Sequence, residues 1–214
     1  MDSPDGQSVS KRTSVSEETR ARLLRAAAEL IAESGWGRVT TRAVAARADL
    51  PHGAVSYHFR GKQELLTEAA LHVFEQAFPI EQLRALEQLP DLVALFEPWL
   101  GEHSEEERLV SRVGTEAMLE SERNPLLRKR LAELLGDFRR AVTDLARAGQ
   151  ERGTVPADIP PEAIATLLGA VADGLFLHAR LDPELDAAGA LNALRSLLRH
   201  DPPLDPYRSD HAGA

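Results

Sequence analysis

An all-α fold is what this 214-residue chain predicts, with an N-terminal three-helix helix-turn-helix domain followed by a larger helical bundle. Three observations lead there. Apolar residues recur at i, i+3, i+4 and i+7 along most of the chain and nowhere alternate with period two, which is the pattern of amphipathic helices and not of strands. Helix starts and stops are punctuated by capping residues, prolines and glycines. Charge is uneven: residues 1–62 hold 10 Lys/Arg and 7 Asp/Glu, a net of +3, whereas residues 63–214 hold 15 and 27, a net of −12. The total of −9 taken alone argues against nucleic acid as a partner. Its distribution argues the other way for the first 62 residues.

The elements follow in order. Residues 1–15 are polar and read as a disordered arm. Ser14 and Glu17 offer a capping box to a first helix over Ser16–Ser34, with Leu24, Ala27, Ala28 and Ile31 on one face and Gly35 as its stop. Thr40 or Thr41 can cap a short second helix ending near Ala48. Asp49-Leu50-Pro51 breaks the pattern, and a third short helix spans His52–His58. Lys62–Phe78 is a long amphipathic helix. Two short helices joined by a tight turn after a longer one make a helix-turn-helix unit, with the domain ending near residue 65.

Residues 66–200 continue as helices. Pro79 and Pro90 bracket a short segment before a helix over Asp91–Gly101. Ser104 and Glu107 form a capping box for a helix to Ser121, and Asn124-Pro125 opens the longest one, to Arg152. Pro160-Pro161 and Pro183 start the last two, for about nine helices in all. Residues 201–214 read as a disordered tail.

Several function classes are excluded or disfavoured. Without cysteine there is no disulfide framework, cysteine metal cluster or thiol switch. No 18-residue apolar run and no apolar signal core are found, so a cytoplasmic protein with no membrane partner is expected. The sequence has no glycine-rich phosphate loop, no H-E-x-x-H and no G-x-S-x-G, so neither an enzyme nor a cofactor is expected. A helical ligand-binding or interaction protein that never touches DNA stays open as the alternative. It would not need the spacing described next.

That spacing lies in VTTRAVAARADLPHGAVSYHFRGKQELL, Val39–Leu66. If the third helix enters a DNA major groove, Val55 and Phe59 turn inward onto Val44 and Ala48. His52, Gly53, Ser56 and Tyr57 then project outward together. Arg42 can offer its planar fork to guanine. Thr41, Tyr57 and Lys62 suit phosphate oxygens. TTRAVAARADL, GAVSYHF and the K-x-x-LL of Lys62, Leu65 and Leu66 resemble the TetR (tetracycline-repressor) family of bacterial transcription regulators. The resemblance covers about residues 17–66. It implies a homodimer built on the last two helices, and repression of an operator relieved by a small molecule. Carried over by position, it implies that Thr41 contacts phosphate and that Arg42 reaches a base or phosphate. His52, Gly53 and Ser56 would line the base-reading face, and Tyr57, His58 and Lys62 would hold the backbone. Two departures stand out: Pro51 where a capping serine is common, and Ser56 where a tyrosine is common.

For the dimer interface the apolar positions Leu168, Val171 and Leu175 of one helix and Leu191, Leu194 and Leu198 of the next are expected, helped by the small Gly169, Ala170, Ala172 and Gly174. That both helices merely close the monomer's own core stays open. Candidates for contact with an unidentified small-molecule effector are His72, Phe96, Trp99, Glu116, Met118, Phe138, Phe176 and His178, chosen as aromatic, polarisable or polar residues on otherwise apolar helices.

Overall fold

The computed structural model describes residues 5–77, 80–97 and 104–199, with side chains from Ser14 onward. Among the described residues there are ten α-helices, one 3₁₀ turn and no strand. In order these are α1 (Asp5–Ser34), the Trp36–Arg38 turn, α2 (Thr41–Arg47), α3 (Gly53–His58), α4 (Lys62–Ala77), α5 (Ile80–Arg84) and α6 (Leu89–Phe96). Then come α7 (Glu105–Ser121), α8 (Pro125–Glu151), α9 (Pro161–Leu181) and α10 (Ala187–Leu198). The helix beyond the nine expected is α5, between the two bracketing prolines.

Three of the caps read from the sequence are used in the structure. Ser104 accepts from the Glu107 amide at 3.2 Å while Glu107 accepts from the Ser104 amide at 2.7 Å, the reciprocal capping box that starts α7. Asn124 Oδ1 accepts from the Leu127 amide at 3.1 Å and starts α8. Thr40, not Thr41, caps α2, its hydroxyl accepting from Ala43 N at 3.1 Å. Two starts differ from expectation. The arm expected to be disordered over residues 1–15 is helical from Asp5, and Ser14 lies inside α1 rather than capping it. Residues Gln7–Val15 contain neither proline nor glycine, so a helix already nucleated by its packed portion extends toward the N-terminus without a breaker. The last helix starts at Ala187 rather than Pro183, because Asp186 is the residue that caps it, accepting from Gly189 N at 2.8 Å. The tail expected to be disordered, 201–214, lies outside the described residues.

The chain divides into two compact units, and the division does not fall at residue 65. The first unit joins the described residues up to 77 with 104–135, with α4 and α7 packed on α1 and on each other and α2 and α3 packed on α1 as well. Its core contains Leu23, Leu24, Ala27, Ile31, Trp36, Val44, Val55, Phe59, Leu65, Leu66 and Val113, all buried. The second unit joins 80–97 with 136–199 around Leu92, Val93, Phe96, Val142, Leu145, Ala165, Leu168 and Leu191. In this unit Gly149 is a packing requirement: a Cβ there would stand 2.5 Å from Val155 Cγ2, so the chain leaving α8 folds back against a bare backbone.

Helix α9 bears on two expectations. By length and composition it is apolar enough to cross a membrane, although no unbroken apolar run is present. It packs as a two-faced helix instead. Ala165 and Leu168 are buried in the second unit, whereas Leu167, Leu177 and Leu181 are exposed. Leu168, placed in the sequence-derived dimer set, is only 2 % exposed within its own chain, and Leu191 only 3 %. Leu175, Leu194 and Leu198 pack against the same core, and Val171 is half-buried. Leu168 and Leu191 therefore face the unit's own core, while Val171, Leu175, Leu194 and Leu198 keep partial exposure. Periodicity finds an apolar face but cannot tell which of two apolar faces looks into the chain's own core.

Candidate nucleic-acid interface

The helix-turn-helix is built from the turn between α2 and α3. Ala48 ends α2, and Asp49 follows with φ +51°, the left-handed region. Its amide bonds the Ala46 carbonyl at 3.2 Å and the Leu50 amide bonds the Ala45 carbonyl at 2.9 Å, the double closure of a Schellman motif with aspartate in the place glycine usually takes. Arg22, reaching across from α1, donates to the Ala48 carbonyl at 2.6 Å and to Asp49 O at 3.3 Å, satisfying carbonyls the helix end leaves open. No sequence signal pointed to Arg22. Pro51 O accepts from Ala54 N at 2.9 Å, so α3 begins without any side-chain cap at His52, as the missing serine suggested.

Inward and outward faces of α3 divide as the spacing predicts. Val55 and Phe59 are buried with Val44 and Ala48. His52, Gly53 and Ser56 are exposed, and nothing lies within 4 Å of where a Gly53 Cβ would stand, so a base edge could approach this backbone closely. Tyr57 is 80 % exposed, an unusual placement for a large ring, and its edge meets His58 at a centroid distance of 4.9 Å. The Ser56 hydroxyl donates to the Gly53 carbonyl at 3.3 Å, a local bond that water or a base can replace. Burial, with the Arg20 guanidinium nearby as the lesser cause, pushes the His58 pKa below its ordinary value. At neutral pH His58 is therefore an uncharged donor rather than a cation.

The positive surface is narrower than the sequence count. Arg42 is exposed near the start of α2, and Thr41 beside it is half-buried. Arg47, by contrast, is occupied: its guanidinium grips Glu33 through two bonds of 2.8 and 2.7 Å and reaches Glu29 at 3.4 Å. That pairing holds the Glu33 carboxyl below its usual range and keeps Arg47 firmly charged. Arg38, Arg42, Arg60 and Lys62 are left as the basic side chains of this region not committed to a carboxylate. Lys62 uses one of its three donors on the Gly37 carbonyl at 2.9 Å, a positioning bond that the spacing did not reveal.

The comparisons with known proteins decide what this geometry belongs to. Residues 23–76 match the model of bacterial regulatory proteins of the tetR family, and residues 91–200 match the C-terminal domain of BetI-type transcriptional repressors. The chain belongs to the TetR family. It is thus a transcriptional regulator of a DNA-binding helix-turn-helix family, and that family is not one of enzymes. Among its relatives is the HTH-type transcriptional regulator UidR of Escherichia coli K12, 23% identical over 188 residues that make up 85% of this chain and 92% of that one. Among solved structures, Salmonella enterica GusR superposes with a TM-score of 0.70 at 25% identity, covering 85% of this TetR-family chain and 95% of GusR. A transcriptional regulator from Saccharomonospora viridis, in complex with choline, superposes with a TM-score of 0.65 at 24% identity, covering 85% and 94% of the two chains.

The residues expected to line an effector site are shared between the two units. His72, Glu116 and Met118 belong to the first unit; Phe96, Phe138, Phe176 and His178 belong to the second. Trp99 lies outside the described residues. Within the second unit Phe96 and Phe138 meet, with ring centroids 6.4 Å apart, Phe96 being buried. His72 and Phe176 are half-buried, while Met118 at 69 % and His178 are exposed, so neither of the latter points into its unit's core. Glu116 is already engaged, accepting a backbone bond from Trp36 at 2.9 Å.

Proposed function

We propose that this TetR-family regulator is a repressor that binds a palindromic operator as a cytoplasmic homodimer and is released by a small molecule. The observation that carries the reading is the outward face of α3, where a bare Gly53, exposed His52 and Ser56 and a protruding Tyr57 sit on a rigid apolar base. Arg42 and Lys62 flank it from α2 and the start of α4. In this assignment His52, Gly53 and Ser56 face base edges, and Arg42 reads guanine through its bidentate fork. Thr41, Tyr57, His58 and Lys62 hold phosphates. The match to BetI-type repressors supports repression, and the choline-bound relative supports a small-molecule effector. We assign effector contact to the second unit, beginning with the Phe96–Phe138 pair. The exposed stripe of α9 supports the dimer.

Binding is tested by fluorescence anisotropy with a duplex from the promoter region of the protein's own gene. Tyr57→Ala and Lys62→Ala should weaken binding to all sequences alike, and Lys62→Ala should lower the salt slope by about 1 for the phosphate it no longer neutralises. Arg42→Ala should cost about 1–3 kcal/mol and relax discrimination at one base pair of each half-site. Binding unchanged in all three variants would sink the assignment.

A further inference from the structure

We propose that Glu116 is a positioning residue through which helix α7 holds the DNA-binding helices in their DNA-competent placement, an inference that rests on the DNA-binding reading above. Helix α7 lies within the segment that matches the C-terminal domain of the repressors, yet it packs on α1 and α4 in the first unit and reaches the Trp36–Arg38 turn. There Glu116 Oε2 accepts the Trp36 backbone N–H at 2.9 Å, in a part-buried setting. Gly35 makes the approach possible. Its φ of +81° is open to glycine, and a Cβ at that position would stand 3.3 Å from Glu116 Oε2.

The turn so held is the only covalent path from α1 to α2. Its other side-chain hydrogen bonds run to α4, where the Trp36 indole N–H donates to Gln63 Oε1 at 3.3 Å and Lys62 Nζ donates to Gly37 O at 2.9 Å, while the Gly35 amide ties it to the Ile31 carbonyl of α1 at 2.9 Å. A displacement of α7 that withdraws the carboxylate therefore leaves the Trp36 amide unpaired and loosens the segment that sets the start of α2, with Thr41 and Arg42, and the ammonium of Lys62. An amide bonded to a carboxylate is among the stronger kinds of hydrogen bond, and a buried donor left without its acceptor is costly. An ion pair between α1 and α7, Arg25 to Glu106 at 3.8 Å, joins exposed side chains and is too solvated to hold a position. Helix α7 also closes one wall of an open 740 Å³ cleft against α1, lined by charged residues that include Arg25, Glu29, Arg108 and Arg112.

The test uses the full chain carrying Trp99→Phe, so that Trp36 is the one indole left. Binding to a fluorescent duplex from its own promoter region is measured alongside Trp36 emission. Glu116→Ala should lose DNA affinity by about tenfold or more, within the range of ordinary coupling between sites, and shift Trp36 emission to longer wavelength. Glu116→Gln keeps an acceptor oxygen and should bind within about threefold of the parent. Glu116→Asp keeps the charge but shortens the reach, and should lose affinity like the alanine variant even if that variant folds poorly. Glu116→Ala binding as tightly as the parent overturns the proposal, as does a Glu116→Gln loss equal to that of alanine. A parent that binds no duplex at low salt overturns the DNA-binding reading itself, which separates the two failures.

Discussion

Asp49 carries a backbone conformation that its side chain opposes. Its φ of +51° costs an L-residue about 1–2 kcal/mol, and the Schellman closure that fixes it uses only backbone atoms. Asp49→Gly removes that strain while adding freedom to the unfolded chain, which costs about 0.5–1 kcal/mol, so a net gain near 0.5 kcal/mol is expected in urea unfolding. Loss of stability would show that the carboxylate does something the backbone does not reveal. His58 makes a second prediction. Its folded pKa is depressed by burial and by Arg20, so the unfolded chain binds its proton more readily. Stability should therefore be full above about 6.5, the ordinary histidine value, and fall as pH drops through the window down to the folded pKa. Thermal unfolding of the wild type should show that fall between about pH 7 and 5, and His58→Gln should flatten it. An equal fall in both proteins would place the titrating group elsewhere.

At the scale of elements, helix α4 holds a flaw and α7 a cap, and only the cap was legible. Thr67 of α4 is 2 % exposed and its Oγ1 has no hydrogen-bond partner among the described residues. Thr67→Val keeps the shape and removes an unpaired hydroxyl, so it should stabilise by about 1 kcal/mol, read as a higher urea midpoint with an unchanged slope. A lower midpoint would mean that the hydroxyl is paired. The Ser104–Glu107 box, Asn124 before Pro125 and the inward set Val44, Ala48, Val55 and Phe59 were all readable, because each depends on residues within one or two turns of one another. The Glu116 bond to Trp36 spans 80 residues and leaves no local trace, as does the Arg22 bond to Ala48 across 26. The occupation of Arg47 by Glu33 was hidden for the same reason: charge counts record that a cation exists, not what it grips. The early start of α1 escaped notice differently, since a polar stretch without breakers is equally compatible with helix and with disorder.

At the scale of the whole molecule, a chain of net charge −9 has to meet a polyanion, and the proposed pairing offers a way. Two protomers would double the repulsive charge but would also place two copies of Arg38, Arg42, Arg60 and Lys62 on one duplex, so the salt dependence should be steep, with a slope of about −0.9 for each phosphate neutralised. The surface suited to pairing is the outward stripe of α9, where Leu167, Ala170, Gly174, Leu177 and Leu181 follow one another on one face, with Leu197 exposed on α10. Nothing stands within 4 Å of a Cβ at Gly174, so a second helix can approach its backbone closely. Leu181 is 75 % exposed, more than a monomer has reason to leave in water alongside its neighbours. Asp173 beside this stripe has its pKa raised by burial, so a carboxylate there resists further desolvation and marks the stripe's edge. The two faces of α9 make opposite predictions. Leu177→Glu should convert a dimer to a monomer in analytical ultracentrifugation and abolish operator binding, while its helical circular dichroism persists. Leu168→Ala should leave the mass dimeric and lower stability by about 2–5 kcal/mol, the cost of a cavity in the unit's own core. A Leu177→Glu protein that stays dimeric would reject this stripe as the interface, and the inward position of Leu168 would then leave α10 to supply the contact.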